Sequence, residues 1–190
     1  KTESPFSLIS GEIVPALDIM GRGFENKTAF LPQLLMSAEA ANAAFEQARR
    51  RLPPAQRIGP SVILATVKGD IHDIGKNIVK AILENYGYHV IDLGRDVPPD
   101  TVVDTAIRDD IRLVGLSALM TTTVPAMAET IHLLHEKKPD CRVMVGGAVL
   151  TQEYADQINA DYYGKTAMDA VRYAERIFGP AGQKESGSSS

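Results

Sequence analysis

The chain has 190 residues, room for one ordinary domain and a smaller appendage. Hydrophobic residues make up 44% and charged residues 23%, with a net charge of -4, and no basic run stands out, which argues against a nucleic-acid partner. No apolar stretch is long enough to span a bilayer, no signal peptide opens the chain, and the single cysteine, Cys141, forms no internal disulfide. These features predict a cytoplasmic protein with no membrane role, and Cys141 reads as a core residue rather than a reactive thiol.

In chain order, residues 1–10 show little periodicity. A helix is predicted over 13–24, with Pro15 near its start, where a missing N–H costs little. A second helix is predicted over 31–51. Its apolar residues Leu31, Leu34, Leu35, Ala38, Ala41, Phe45 and Ala48 recur at helical spacing, and the basic run 49–51 suits a helix C-terminus. Residues 52–60 (LPPAQRIGP) hold three prolines and a glycine and predict a linker. The remainder alternates. Strands are predicted over 62–67, 89–93, 113–119, 142–145 and 161–163, and helices over 75–86, 99–108, 124–137, 152–158 and 167–178. Such alternation predicts a doubly wound α/β domain over 61–179, with a five-stranded parallel sheet in the order 2-1-3-4-5. Residues 180–190 read as a flexible tail. Ligands on such sheets bind beyond the carboxyl ends of the strands, so the loops after the strands carry the information.

The loop after the first strand reads Lys68-Gly69-Asp70-Ile71-His72-Asp73-Ile74-Gly75-Lys76-Asn77. It is not a phosphate-binding P-loop. Five residues separate its glycines, Asn77 stands where a hydroxyl is needed, and two acids within it would repel phosphate. No G-x-G-x-x-G fingerprint is present. What remains is Asp70-x-His72-x-x-Gly75. One nitrogen of a neutral imidazole can bind metal while the other donates its N–H to a carboxylate, which fixes the tautomer and raises ligand basicity. Asp70 can be that carboxylate, and Gly75 lets a bulky group approach the backbone. Taken alone, the motif more often marks a solvated loop histidine with no ligand.

Two further loops change that balance. The third strand ends in Leu116-Ser117-Ala118-Leu119-Met120-Thr121, and the fourth in Val145-Gly146-Gly147-Ala148. Ser117 lies 45 residues after His72, and Gly146 lies 74 after it. With KGDIHDIGKN, these segments resemble the cobalamin-binding domain of methionine synthase and related corrinoid methyltransferase proteins. The resemblance implies a flavodoxin-like fold preceded by a truncated helical cap over 1–51, the last two helices of the family's usual four. It implies base-off cobalamin, carried as methylcobalamin, with His72 as the cobalt's lower axial ligand. Asp70 would bond the other ring nitrogen, and Thr123 would complete a His–Asp–hydroxyl relay in place of the usual serine. Gly69, Asp73, Gly75 and Leu119 fall within the cofactor-binding segments. Ser117 and Thr121 would line the pocket for the displaced nucleotide tail, and Gly146 and Gly147 would leave room for it. In the cap, Gly23-Phe24…Phe30-Leu31-Pro32-Gln33-Leu34 matches the family, so Phe24, Leu31 and Leu34 would shield the cobalt's upper face.

The same resemblance implies a methyl group carried on cobalt from a donor such as methyltetrahydrofolate to homocysteine. No site for either substrate is visible. Separate homocysteine- and methyltetrahydrofolate-binding domains or subunits are therefore expected as partners, together with a reactivation partner. The alternative is a corrinoid carrier for a methanol- or methylamine-type methyltransferase. An adenosylcobalamin mutase module and a light sensor fit less well. A signalling receiver would share the sheet order but needs an aspartate at the end of the third strand, where Ser117-Ala118-Leu119 offers none.

Overall fold

The apolar runs of the three central strands are buried on both faces, and their side chains alternate between two cores. The computed structural model describes residues 12, 14–30, 32–34, 36, 37, 39, 40, 43, 44 and 59–179. In strand β1 (Ser61–Thr66), Ile63 and Ala65 enter one core, while Val62 and Leu64 enter the other. The other strands are β2 (His89–Asp92), β3 (Leu113–Ser117), β4 (Arg142–Gly146) and β5 (Tyr162–Tyr163). All pair in parallel, in the order β2-β1-β3-β4-β5, as the alternating pattern predicts.

Five helices cover this sheet. Helices α3 (Pro99–Arg108), α4 (Val124–Lys137) and α5 (Gln152–Gln157) supply Val102, Val103, Met127, Ile131, Leu134 and Ala155 to the first core. Helices α2 (Ile74–Asn85) and α6 (Ala167–Phe178) supply Ile82, Leu83, Met168, Val171 and Ala174 to the second. Thr166 caps α6 through a reciprocal capping box with Asp169. Before the domain lies helix α1 (Val14–Glu25), whose Met20 and Phe24 pack against the second core. Helical backbone recurs within 32–44. The rest of the second predicted helix, most of the predicted linker and the tail over 180–190 lie outside the described residues. No described helix is long and apolar enough to cross a membrane.

The differences from expectation are at element ends, and two of them are informative. β3 stops at Ser117 rather than Leu119, because the N–H groups of Leu119 and Met120 leave the ladder and donate to the Asp70 carboxylate. β1 stops at Thr66, and Val67 follows with an isolated bridge to Val97 and an N–H bond to Ser117 O. Both strands therefore release their chains at the carboxyl edge, beside one another. At the opposite edge, Cys141 precedes β4, fully buried, and that burial pushes its thiol up to about 12.

The first core should show the usual sensitivity to a cavity. Leu134 is fully buried on α4, so Leu134→Ala should lower the unfolding free energy by about 2–5 kcal/mol in urea titration.

Candidate functional site

The loop after β1 turns sharply at Gly69, where φ is +85°. This turn returns Asp70 over the end of the sheet, with its N–H donating to Val67 O at 3.0 Å. The Asp70 side chain is fully buried, yet four N–H donors converge on it. Oδ1 accepts from the His72 main-chain N–H at 3.0 Å and from His72 Nδ1 at 2.8 Å. Oδ2 accepts from the N–H of Leu119 at 2.6 Å and of Met120 at 3.2 Å. Burial by itself would raise this carboxyl's pKa. The bonds from His72, Leu119 and Met120 outweigh that effect and hold it at about 2. Asp70 is thus an ionised acceptor at any physiological pH.

The state of Asp70 fixes the state of His72. An ionised carboxylate can only accept, so Nδ1 carries a proton. In the neutral ring the lone pair then sits on Nε2, which makes no hydrogen bond among the described residues. The His72 side chain is 46% exposed, above a buried partner. The arrangement presents one nitrogen, of defined tautomer, outward from the sheet's carboxyl edge.

Thr123 comes to the same carboxylate, with Oγ1 at 3.3 Å from Asp70 Oδ2. Its shorter contact, 2.8 Å, is to Met120 O. One hydroxyl hydrogen cannot serve both acceptors. The predicted His72–Asp70–Thr123 constellation is assembled, but the threonine proton belongs chiefly to the turn at 121–123, and its link to Asp70 is the weaker one.

A cleft of about 690 Å³ opens beside His72 and runs down between the sheet and helices α2 and α6. Of the predicted site residues, Phe24, His72, Gly75, Ser117, Leu119, Gly146 and Gly147 line it. Glycines shape the walls of the cleft. Leu64, Gly115 and Met144 stand side by side across β1, β3 and β4. A Cβ on Gly115 would come within 2.5 Å of Leu64 Cδ2 and 2.8 Å of Met144 Cε. Gly147 has φ +141°, and a Cβ there would lie 1.8 Å from Ala118 O, so only glycine lets the β4 loop pass the β3 loop. A Cβ on Gly75 would meet nothing within 4 Å. Ser117 Oγ pairs with Thr66 Oγ1 at 2.9 Å at the top of the cleft.

Other predicted residues sit elsewhere. Thr121 is exposed on the turn that follows β3 and is no wall of the cleft, because the chain has already turned toward α4. Gly69 makes the turn and does not reach the cleft. Asp73 occupies the N-cap position of α2 without a side-chain capping bond. Leu34 is 2% exposed, packed in the second core, and does not face the cleft. Leu31 lies outside the described residues.

The sequence reading missed several contributors. Lys76 is buried in the cleft wall, with its ammonium on the carboxylate of Asp92. A lysine on an amphipathic helix ordinarily reads as solvated, so only the strand-end Asp92 hints at its burial. The residues Tyr163, Gly164, Lys165 and Thr166 close the far side of the cleft. Around His72 stand exposed apolar side chains, Ile71 at 63%, Ile74 at 78%, and Leu119 and Met120 near 40%. Large exposed apolar groups around one polar atom mark a surface shaped for a ligand.

The low pKa of Asp70 gives a signed prediction. Its folded value, about 2, lies below the unfolded 3.8. The unfolded chain therefore binds more protons between these values, and the stabilisation, up to about 2 kcal/mol, is present above pH 4 and lost as pH falls toward 2. In urea titrations over that window, Asp70→Asn should lose less stability than the parent chain as pH falls.

Two family models match the chain. Both are described as B12 binding domains, one over residues 60–172 and one over 1–49. Dimethylamine corrinoid protein 1 of Methanosarcina acetivorans is 38% identical over 178 residues, 91% of this chain and 83% of that protein. Trimethylamine corrinoid protein 1 of Methanosarcina mazei is 39% identical over 173 residues, 88% of this chain and 80% of that protein. Among solved structures, a cobalamin-binding protein from Desulfitobacterium hafniense superposes with a TM-score of 0.79 at 30% identity, covering 91% of this chain and 82% of that one. The methanol:cobalamin methyltransferase complex of Methanosarcina barkeri gives 0.78 at 33%, covering 92% of this chain and 67% of that one. With a parallel sheet of this order, a carboxylate-held histidine at its carboxyl edge and a family model matching more than half its length, the chain belongs to the family of B12-binding domains.

Proposed function

We propose that this chain binds a corrinoid through His72, with the nucleotide tail in the cleft, and serves as the methyl carrier of a methylamine- or methanol-type methyltransferase system. The observation that carries the proposal is the His72–Asp70 pair, which presents a single imidazole nitrogen above a deep cleft. Among the described residues no group of three metal-ligating side chains exists. A lone imidazole cannot retain a bare ion against water, but it can give one axial bond to a metal already held by a macrocycle. The apolar rim of Ile71, Ile74, Leu119 and Met120 suits the broad face of such a ring, and the glycine-made cleft suits a long appendage. The donor set and the space therefore fit a corrinoid.

In this reading His72 would hold the corrinoid metal, with Asp70 fixing its tautomer and orientation. Gly75, Ser117, Leu119, Gly146 and Gly147 border the tail. Gly69 and Asp73 shape the loop that carries His72, and Thr121 and Thr123 shape the turn facing it. Phe24 reaches the cleft from α1, while Leu34 anchors the preceding helical part rather than forming a lid. The division into a helical part before 52–60 and an α/β domain after it belongs to the same reading and is supported by the two separate family matches. When bound, the corrinoid cobalt supplies the chemistry of accepting and releasing a methyl group.

The relatives favour the alternative reading over methionine synthase. Three of the four named above are a dimethylamine corrinoid protein, a trimethylamine corrinoid protein and a methanol complex, so homocysteine and methyltetrahydrofolate partners find no support among them. The expected partner is instead a methyltransferase subunit specific for a methylamine or methanol.

Incubation with methylcobalamin should give a red protein with the visible spectrum of a base-off, histidine-ligated corrinoid. His72→Gly should remove the histidine signature. A wild-type chain that stays colourless in excess cofactor sinks the proposal. The loaded, reduced chain should take up methyl from dimethylamine, trimethylamine or methanol with the matching methyltransferase subunit, and not from methyltetrahydrofolate.

A further inference from the structure

The loop between β2 and α3 meets the turn at Gly69-Asp70 through Asp96. Asp96 has φ +54°, in the left-handed region that a residue with a side chain adopts at a cost, and that aspartate tolerates better than most. In this conformation Asp96 grips the turn at Gly69-Asp70 by two bonds. Its carboxylate Oδ1 accepts the Gly69 N–H at 2.7 Å, and its own N–H donates to Asp70 O at 2.9 Å. One residue on, Val97 N–H donates to Thr66 O at 3.1 Å and Val97 bridges Val67. The β2–α3 loop is thereby fastened to β1 just before it reaches the turn.

These bonds complete the restraint of Asp70. Its carboxylate is held by the β3 loop through Leu119 and Met120, as already described. Nothing in that contact fixes the rotation of the Gly69 and Asp70 main chain. Asp96 does so from the other side, because it takes the N–H at one end of the dipeptide and the C=O at the other. The Asp70 main chain in turn sets His72, whose N–H and Nδ1 both lie on Asp70 Oδ1. Exposed residues held in unfavourable backbone regions persist where surrounding bonds over-determine them, and such positions cluster at functional sites.

We propose that Asp96 is a positioning residue for the axial histidine: its left-handed backbone and its carboxylate together lock the Gly69–Asp70 turn at the height at which His72 Nε2 meets the corrinoid metal. The proposal rests on the corrinoid reading above. It assigns Asp96 no contact with the ligand, only control of how completely His72 coordinates.

Three chains separate the parts. Asp96→Asn keeps an Oδ1 acceptor and tolerance of positive φ, so it should behave as wild type. Asp96→Gly keeps the backbone conformation and loses the acceptor. The first readout needs no cofactor: amide hydrogen exchange at Gly69 in the unloaded protein should be slow in wild type and Asp96→Asn and about tenfold or more faster in Asp96→Gly. The second uses cob(II)alamin-loaded protein, in which an axial nitrogen splits the electron paramagnetic resonance lines into triplets. Wild type and Asp96→Asn should show the triplets throughout, while Asp96→Gly should bind cobalamin but lose them in a large share of molecules. Equal Gly69 exchange in all three chains, or equal triplet content at equal cobalamin loading, overturns the proposal. Should Asp96→Gly fail to fold, Asp96→Asn still decides: loss of triplets in that variant also overturns it. Absence of cobalamin from the wild type is the separate failure of the corrinoid reading, and the Gly69 exchange comparison stands without it.

Discussion

The site depends on keeping one carboxylate ionised where no water reaches it. A buried carboxylate is costly unless its lone pairs are filled, and Asp70 fills them with N–H groups rather than with a lysine or arginine. Two of those donors, Leu119 and Met120, lie 49 and 50 residues further along the chain. Only the neighbouring of β1 and β3 in a parallel sheet brings them near. The orientation of His72 therefore depends on strand order, which fixes Asp70, as well as on the short motif that joins the two residues.

The cleft follows a second constraint, that of subtraction. Parallel strands buried on both faces normally leave no room above the sheet, since their side chains meet the covering helices. Here Gly115 interrupts that layer on the central strand, and Leu64 and Met144 lean over the gap from either side. The β3 and β4 loops then cross so closely that Gly147 must lack a side chain. A continuous space results without any loss of strand pairing, because backbone ladders do not depend on what the side chains do.

Much of this was legible in the sequence. The apolar runs and their alternation with helices dictate the sheet, since each run is short and the central ones are buried on both faces. His72 and Asp70 were legible because they sit two residues apart, where local geometry alone can join them. Ser117, Gly146 and Gly147 were legible only through resemblance, since their meaning lies in which loops converge. Other residues were not readable for definite reasons. Thr121 looks equivalent to Thr123 in sequence, but a 3-10 turn sends one outward and the other inward. Leu34 has the spacing of a helix face, and spacing does not say what that face meets. Lys76 and Asp96 carry charges that ordinarily mark solvent; the partner of the first is Asp92 on β2, and those of the second are Gly69 and Asp70 in the turn after β1, which nothing local announces.

One feature at the far edge of the sheet bears on what this chain can safely hold. Sulfur nucleophiles attack activated carbon as thiolates, and the chain contains a single thiol. Cys141 lies at the amino edge of β4, sealed in the core opposite His72, with its ionisation suppressed. Under the proposed methyl-carrier role, this placement keeps the one thiol of the chain from being alkylated by its own cargo.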